Sequence, residues 1–281
     1  MNRGLPKIGR RTPEQIREHY EIEKELASRL RSGTKEERRH LYSSLYDELF
    51  RRVPHHPQLT SKASPSERAQ AVRSESKFLT RFSNRDTTFL EVGPGDCALS
   101  FEVARFVERV YAVDVSDAIT RTSTSPENFQ LILSDGCSIP VPQGTVDVAY
   151  SNQLMEHLHS EDAYEQLRSI FSALADGGSY VCITPNALSG PHDVSMYFDA
   201  VPTGFHLKEY TFSELNALFT EVGFSKVVAY VGAKGVYAAL PVAGLVLCEK
   251  ALCKLPFSFG GVLARILPVR VLLTVRLVGT K

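Results

Sequence analysis

The residues of this chain that could do chemistry are two glycines, a few carboxylates and a set of histidines, and their spacing is informative. In FLEVGPGDCALSFEVARF, a β-rich run enters a turn at Gly93, Pro94 and Gly95 and continues into a helical run. Glycines at such a turn allow backbone conformations and close ligand approach that side chains would block. The N–H groups at the following helix start can receive an anionic group. Glu91 and Asp96 flank the turn. About 20 residues after the first glycine, a second strand-like run, RVYAVDV, reaches Asp114, where a carboxylate can accept hydrogen bonds from ribose hydroxyls. Ala98 fits the third small position of a dinucleotide fingerprint, so the glycines alone do not separate a nicotinamide enzyme from other enzymes that bind a nucleoside cofactor.

A histidine with a pKa near neutrality is the best side-chain base for taking a proton from an alcohol. His157 and His159 follow the fourth strand-like run, His192 follows the fifth, and His206 precedes a capped helix. His157 is the first choice as base, since it lies just beyond Asn152 in a loop expected at the carboxyl edge of a sheet, where ligands bind. Its other reading is a cap or a packing residue beneath the site. His192 and Asp193 form a neighbouring pair, either a base with its orienting carboxylate or two metal ligands. No full ligand set is visible, so no metal is expected. His206, Asp193 and Tyr210 are candidate contacts to an acceptor.

The elements that must position these residues begin with helices. Thr12, Thr34 and Ser64 each have Gln or Glu three residues later, the capping-box pattern, and Pro follows Thr12 and Ser64 directly. Residues 1–83 are expected to form a helical cap segment. From about Asn84, TFLEVG, RVYAVDV, FQLILSD, VDVAYSN and SYVCITPN alternate with helical runs, which predicts an α/β fold with a parallel sheet covered by helices on both faces. A helix is expected from Ser160 to about Ala175, stopped by Gly177 and Gly178, and another from Thr211, with Glu214 in the capping-box place and Gly223 at its end. KVVAYV and the terminal VRVLLTVRLV would complete a seven-stranded sheet. Between them lies an apolar insertion, about residues 235–268, whose uncharged stretch from Gly235 to Cys248 is broken by Pro241 and too short to span a membrane. It is expected to be a helical lid or a homodimer surface, and it is compatible with peripheral contact to a membrane or a lipid-linked substrate.

Taken in order, these motifs resemble class I S-adenosylmethionine-dependent methyltransferases of the small-molecule type, over most of residues 84–231. Such enzymes carry an E-x-G-x-G turn after the first strand, an acid ending the second, an Asp after the third and a polar segment after the fourth. Here these are Glu91-Val92-Gly93-Pro94-Gly95, Asp114, Asp135-Gly136 and Ser151-Asn152-Gln153. The resemblance implies a Rossmann-like fold and S-adenosylmethionine as cofactor, with S-adenosylhomocysteine as product. It further implies Gly93 and Gly95 under the methionine part, Glu91 orienting the ammonium group, and Asp114 with Val115 at the ribose. Asp135 and the backbone near Gly136 would meet the adenine, and Asn152 would stand at the active-site rim. LMEHL, LADGGSYVCITPN and HLKEYTFSELNALFTEVGF also look like this class, and SNQLMEH lacks the N/D-P-P-Y/F motif of base methylation. GPHDVS followed by GFHLKEYT is similar to bacterial methyltransferases that accompany glycan or secondary-metabolite synthesis, which suggests a hydroxyl acceptor.

Composition agrees with such an enzyme. At 281 residues, with 32 basic and 32 acidic side chains, the chain gives no electrostatic reason to expect nucleic acid as partner. Five scattered cysteines form no C-x-x-C pair and are expected to be reduced and mostly buried. The basic N-terminus lacks the apolar run of a secretory signal, so a cytoplasmic location is expected. Two rival readings stay open. An NAD(P)-dependent oxidoreductase predicts nicotinamide binding, and a non-catalytic Rossmann-like dimerisation scaffold predicts no cofactor binding at all.

Overall fold

The computed structural model describes residues 11–60, 64–116, 125–233, 235–254 and 266–281. Three capping boxes open the chain as their spacing predicts. Thr12, Thr34 and Ser64 accept from the backbone N–H three residues on, and the side chains of Gln15, Glu37 and Glu67 return the bond. They start helices α1 (Pro13–Ser32), α2 (Lys35–Arg52) and α4 (Pro65–Leu79), with a single turn, α3 (Pro57–Thr60), in the proline-rich connection.

Strands β1 (Thr88–Val92), β2 (Arg109–Asp114), β3 (Phe129–Leu133), β4 (Val146–Asn152) and β5 (Leu174–Thr184) are all parallel, in the order β3-β2-β1-β4-β5. Short helix α5 (Ala98–Val103) follows β1, and α6 (Ser160–Ala173) joins β4 to β5. Because the strands run the same way, the turns after Val92, Asp114, Leu133, Asn152 and Thr184 gather at one edge. Strand order reverses beside β1, between β2 and β4, so that edge carries the crevice where open α/β sheets bind ligands. Register sets Val92 beside Val113 and Ser151, which brings the glycine turn between the ends of β2 and β4.

Alternation along β1 divides the core. Leu90 and Val92 join a cluster with Leu26 and Leu30 of α1, Leu45 and Leu49 of α2 and Leu167 of α6. Phe89 joins Phe78 of α4 and Leu99 of α5 on the opposite face. The sheet is thus covered on both sides, as the sequence predicts.

The far side of the sheet departs from expectation. Helix α7 (Phe212–Val222) has the foreseen box at Thr211 and ends at Gly223, φ 118°. Beyond it come β6 (Lys226–Ala233), β7 (Val236–Pro241), α8 (Val242–Cys253), α9 (Leu267–Leu273) and β8 (Val275–Thr280). Among the described residues the sheet therefore has eight strands, ending β5-β8-β6-β7 with antiparallel pairings. The first part of the apolar insertion is a strand, not a helix, and residues 255–265 of that insertion lie outside the described residues. Likewise VRVLLTVRLV divides into a helix and a strand. Buried Glu249 docks α8, accepting from Phe212 N (2.8 Å) and Ser213 N (3.2 Å) at the start of α7 and from Asn186 Nδ2 (2.8 Å). Cys97, Cys137 and Cys182 are free and buried, whereas Cys248 and Cys253 are free and exposed. Among the described residues no helix is long and apolar enough to cross a membrane.

Candidate functional site

The turn after β1 is built as its composition requires. Gly93 and Gly95 have φ of 69° and 57°, conformations that glycine adopts at little cost. A Cβ at Gly93 would press on Leu154, whereas around a Cβ at Gly95 nothing lies within 4 Å, so the turn opens onto free space there. Asp114 closes the turn from the neighbouring strand. Its Oδ2 accepts from Gly95 N at 3.4 Å, and its Oδ1 accepts from Val115 N (2.7 Å) and Ser116 N (3.2 Å). Burial raises its pKa despite these bonds. Pro94 is buried at the centre of the turn, and Ala98, where the fingerprint needs a small side chain, opens α5.

Glu91 is buried and already engaged. Its Oε2 accepts from Ser100 Oγ of α5 at 2.5 Å, and burial pushes its carboxyl up to about 7. Glu91 thus braces the turn against the helix that follows. Asp135 is also engaged: it accepts from Cys137 N (3.0 Å), Ser138 N (2.7 Å) and Ser138 Oγ (3.1 Å), and pairs with Arg39 Nε at 3.3 Å. Burial would raise its pKa, but these bonds lower it. Its carboxylate folds the loop at Gly136, φ 87°, whose carbonyl accepts from Gln166 Nε2 at 2.6 Å, with the Tyr42 ring of α2 and Val115 packed beside it. Asn152 is exposed at the rim of β4, followed by Gln153 at φ 54°.

Past that rim a buried polar network connects the loops. Glu156 is fully buried. Its Oε2 accepts from Thr184 Oγ1 at 2.9 Å, its Oε1 has no hydrogen-bond partner, and burial pushes it up to about 7. His157 is half-buried, with Nδ1 at 3.1 Å from Phe205 O and 3.0 Å from Tyr46 Oη; burial and the nearby His206 push its pKa down to about 4. That value is too low for the near-neutral base expected of His157. His159 instead caps α6 through its side chain.

Glu209 organises the other two histidines. It holds His206 Nδ1 at 2.7 Å through Oε1 and His192 Nδ1 at 3.0 Å through Oε2, while Oε1 also accepts from His192 N at 2.7 Å. Burial would raise Glu209, yet the bonds from His192 and His206 pull it down to about 2. For His206, burial lowers the pKa, but the bond to Glu209 together with the charges of Glu156, Glu209 and Asp193 outweighs it, so it lies above the ordinary histidine value. His192 is exposed at the outer end of this arrangement. Asp193 is not its orienting carboxylate. Asp193 caps the turn Val194–Tyr197 through Ser195 N and accepts from His206 N at 3.3 Å, which sequence adjacency to His192 could not show. Tyr210 is buried, and its hydroxyl has no hydrogen-bond partner.

The sequence reading did not single out Glu156, Glu209, Tyr42, Tyr46 or Glu23. Glu23 accepts from Phe205 N at 2.9 Å, and Arg31 donates to the carbonyls of Thr203 (2.8 Å) and Gly204 (2.9 Å), so α1 grips the loop that carries His206. Two signals were present: Glu209 stands three residues after His206, and Glu23 one helical turn after His19.

Comparison with known proteins places this architecture. A family model described as a methyltransferase domain matches residues 65–229. A protein of Mycobacterium tuberculosis strain H37Rv, named a probable S-adenosylmethionine-dependent methyltransferase, is 26% identical over 149 residues, covering 53% of this chain and 52% of its own. A like-named protein of Mycolicibacterium smegmatis is 26% identical over 145 residues, covering 51% of this chain and 53% of its own. The chain therefore spans about half the length of the curated relatives it matches. Among solved structures, a chain of the complex between the Haloferax volcanii Trm112 methyltransferase activator and a methyltransferase aligns with TM-score 0.51 and 16% identity, over 77% of this chain and 94% of that one. Phosphoethanolamine N-methyltransferase 1 of Haemonchus contortus, in complex with phosphoethanolamine and S-adenosylhomocysteine, aligns with TM-score 0.50 and 16% identity, over 73% of this chain and 43% of that one. At these identities the solved structures support the fold.

Proposed function

The chain belongs to the methyltransferase-domain family, and from that premise we propose that it transfers a methyl group from S-adenosylmethionine to a hydroxyl of a small-molecule acceptor. The observation that carries this reading is the junction of an open glycine turn with the carboxylate of the neighbouring strand, Gly95 N to Asp114 Oδ2 at 3.4 Å, at the carboxyl edge of the sheet. The residues there fit the cofactor. Free space over Gly95 admits the amino-acid part, Asp114 offers carboxylate oxygens to the ribose, and Val115, Gly136 and Tyr42 bound the adenine position. The relatives' names and the S-adenosylhomocysteine held by the Haemonchus enzyme support the same choice.

The cofactor supplies an already electrophilic methyl group on a sulfonium, so what the protein adds is alignment and a place for the acceptor's proton. His192 takes that role in our reading. Its Nδ1 is held by Glu209, as the base of a catalytic pair is held by its orienting carboxylate, and it stands at the exposed end of the network. The acceptor hydroxyl gives its proton to His192 as its oxygen bonds to the methyl carbon and the carbon–sulfur bond breaks. Helices α1 and α2 and the loop carrying His206 shape the acceptor side.

The reading is tested by incubating the protein with methyl-labelled cofactor and a panel of alcohols, sugars, amines and carbon acids. Label on hydroxyl oxygen is expected, and label confined to amines or carbons rejects the acceptor class. In parallel, Gly95→Val, whose side chain enters the free space, is expected to weaken S-adenosylhomocysteine binding at least about tenfold. Undiminished binding removes the turn from the cofactor site.

A further inference from the structure

Deep at the rim, three groups converge in a way that methyl transfer alone does not explain. One ligand atom from each of Glu156, His157 and His206 lies within 4.8 Å of the others. Each group is fixed from behind by a partner that leaves one donor atom over. His206 Nδ1 is committed to Glu209 Oε1 at 2.7 Å, and His157 Nδ1 to Phe205 O at 3.1 Å. A carbonyl can only accept, so Nδ1 of His157 carries the proton and Nε2 keeps its lone pair. The carboxylate at Glu209 sets the same tautomer in His206. Glu156 Oε2 is bound by Thr184 Oγ1 at 2.9 Å, and Oε1, on a side chain with no exposed surface, has no partner.

A histidine that ligates a metal characteristically donates its other ring N–H to a carboxylate or a backbone carbonyl, which fixes ring and tautomer. Both patterns occur here, one in each ring. Two imidazoles and one carboxylate, with no thiolate, select a borderline divalent cation such as Zn²⁺, Fe²⁺ or Co²⁺, and three protein ligands leave positions for an outside oxygen. The partnerless Glu156 oxygen supports the same conclusion, because a buried carboxylate oxygen without a donor is costly unless a cation meets it.

We propose that Glu156, His157 and His206 form a binding site for a divalent metal ion, with His206 held in place by Glu209 and His157 by the Phe205 carbonyl, and that the ion's open positions receive the acceptor's hydroxyl group. The second half rests on the methyl-transfer reading, and the binding itself does not. In that role the ion lowers the hydroxyl's pKa and fixes its oxygen, while the proton still leaves to His192 and the oxygen still takes the methyl group.

The test uses the full chain stripped with chelator, titrated with CoCl₂ by visible absorption and with ZnCl₂ by calorimetry, alongside S-adenosylhomocysteine. One ion per chain is expected, with d–d bands of nitrogen and oxygen ligation. Glu156→Gln is expected to lower metal affinity at least about a hundredfold while leaving S-adenosylhomocysteine affinity unchanged, and Glu209→Gln, which leaves all three ligands in place, about 10–100-fold. Absence of a stoichiometric ion overturns the proposal. So does binding that survives Glu156→Gln but is lost with His56→Asn, which would place the ion at the buried group His19, Glu23 and His56. Should Glu156→Gln fail to fold, Glu209→Gln decides, since affinity equal to that of the unchanged protein then overturns the proposal. Failure to bind S-adenosylhomocysteine with metal binding intact would instead remove the methyl-transfer reading and leave the ion site standing.

Discussion

Glu91 shows how one residue sets a condition for the whole turn. A carboxylate of ordinary pKa, about 4.3 in an unfolded chain, is held in the fold at about 7 by burial. The folded state therefore binds its proton more tightly, so Glu91 contributes stability that is full below about 4.3 and is lost as pH rises toward 7. His56 works in the opposite sense over nearly the same interval. Burial pushes it down to about 4, so its contribution is present above about 6.5 and lost as pH falls toward 4. Comparison with Glu91→Gln isolates the first effect. Urea unfolding at intervals from pH 4.5 to 7.5 is expected to show the variant gaining on the unchanged protein as pH rises, by up to about 3 kcal/mol. A difference that does not vary with pH would mean that Glu91 titrates as an exposed carboxylate. The same residue marks a limit of sequence reading. Its place before the glycine turn was legible, whereas its partner was not, because Ser100 meets it only once β1 and α5 have packed. Glu209 and Glu156 escaped notice for the same reason: a carboxylate acquires a role from the histidines and hydroxyls that folding brings to it.

At the scale of elements, α2 is fastened to α6 by a buried ion pair. Arg38 donates Nε to Asp162 Oδ2 at 2.5 Å and Nη2 to Asp162 Oδ1 at 2.8 Å, and Tyr42 Oη donates to Asp162 Oδ2 at 2.7 Å. With Asp162 at 0% exposure and Arg38 at 3%, removing the carboxylate leaves a guanidinium buried with little compensation. Asp162→Ala is expected to cost about 3–5 kcal/mol in chemical unfolding, and Arg38→Met added to it to recover part of that loss. A loss below about 1 kcal/mol would mean that Glu161 and the Gly33 carbonyl, its remaining partners, hold the guanidinium unaided. Elements with chemical punctuation were the ones legible in advance. Helices α1, α2, α4 and α7 carry capping boxes, and the parallel strands stand as short β-rich runs between helical ones. Where apolar residues run on without punctuation, periodicity does not separate a buried strand from a buried helix. That is why VYAALP, joined in sequence to the apolar residues of α8, hid β7, and why VRVLLTVRLV concealed the boundary between α9 and β8. Gly235, φ 80°, in the turn that returns the chain from β6 into β7, was the signal that could have shown the strand.

Across the molecule, the packing joins the helices before the sheet to the sheet itself. Leu26, Leu30, Leu45 and Leu49 share one core cluster with Leu90, Val92, Ala149 and Cys182 of the strands and with Phe212 and Leu245 beyond them. The matched family region begins only at residue 65, so α1 and α2 lie ahead of it, yet α1 grips the His206 loop and α2 covers Gly136. A separate domain at residues 1–83 would unfold on its own, whereas a cap that shares the core would unfold with the sheet. Leu26→Ala, at a side chain with 0% exposure, distinguishes these outcomes, since the deletion should cost about 2–5 kcal/mol. The expected result is a single thermal transition, followed by both helical circular dichroism and tyrosine fluorescence, lowered as a whole by roughly 5–15 °C. Saturating S-adenosylhomocysteine should raise that same transition in both proteins, by about 2.7 kcal/mol of stability at a hundred times its dissociation constant. A second, lower transition that the mutation alone displaces and the ligand leaves in place would show that the helical segment is an independent unit, and would take from α1 and α2 the role of shaping the acceptor side.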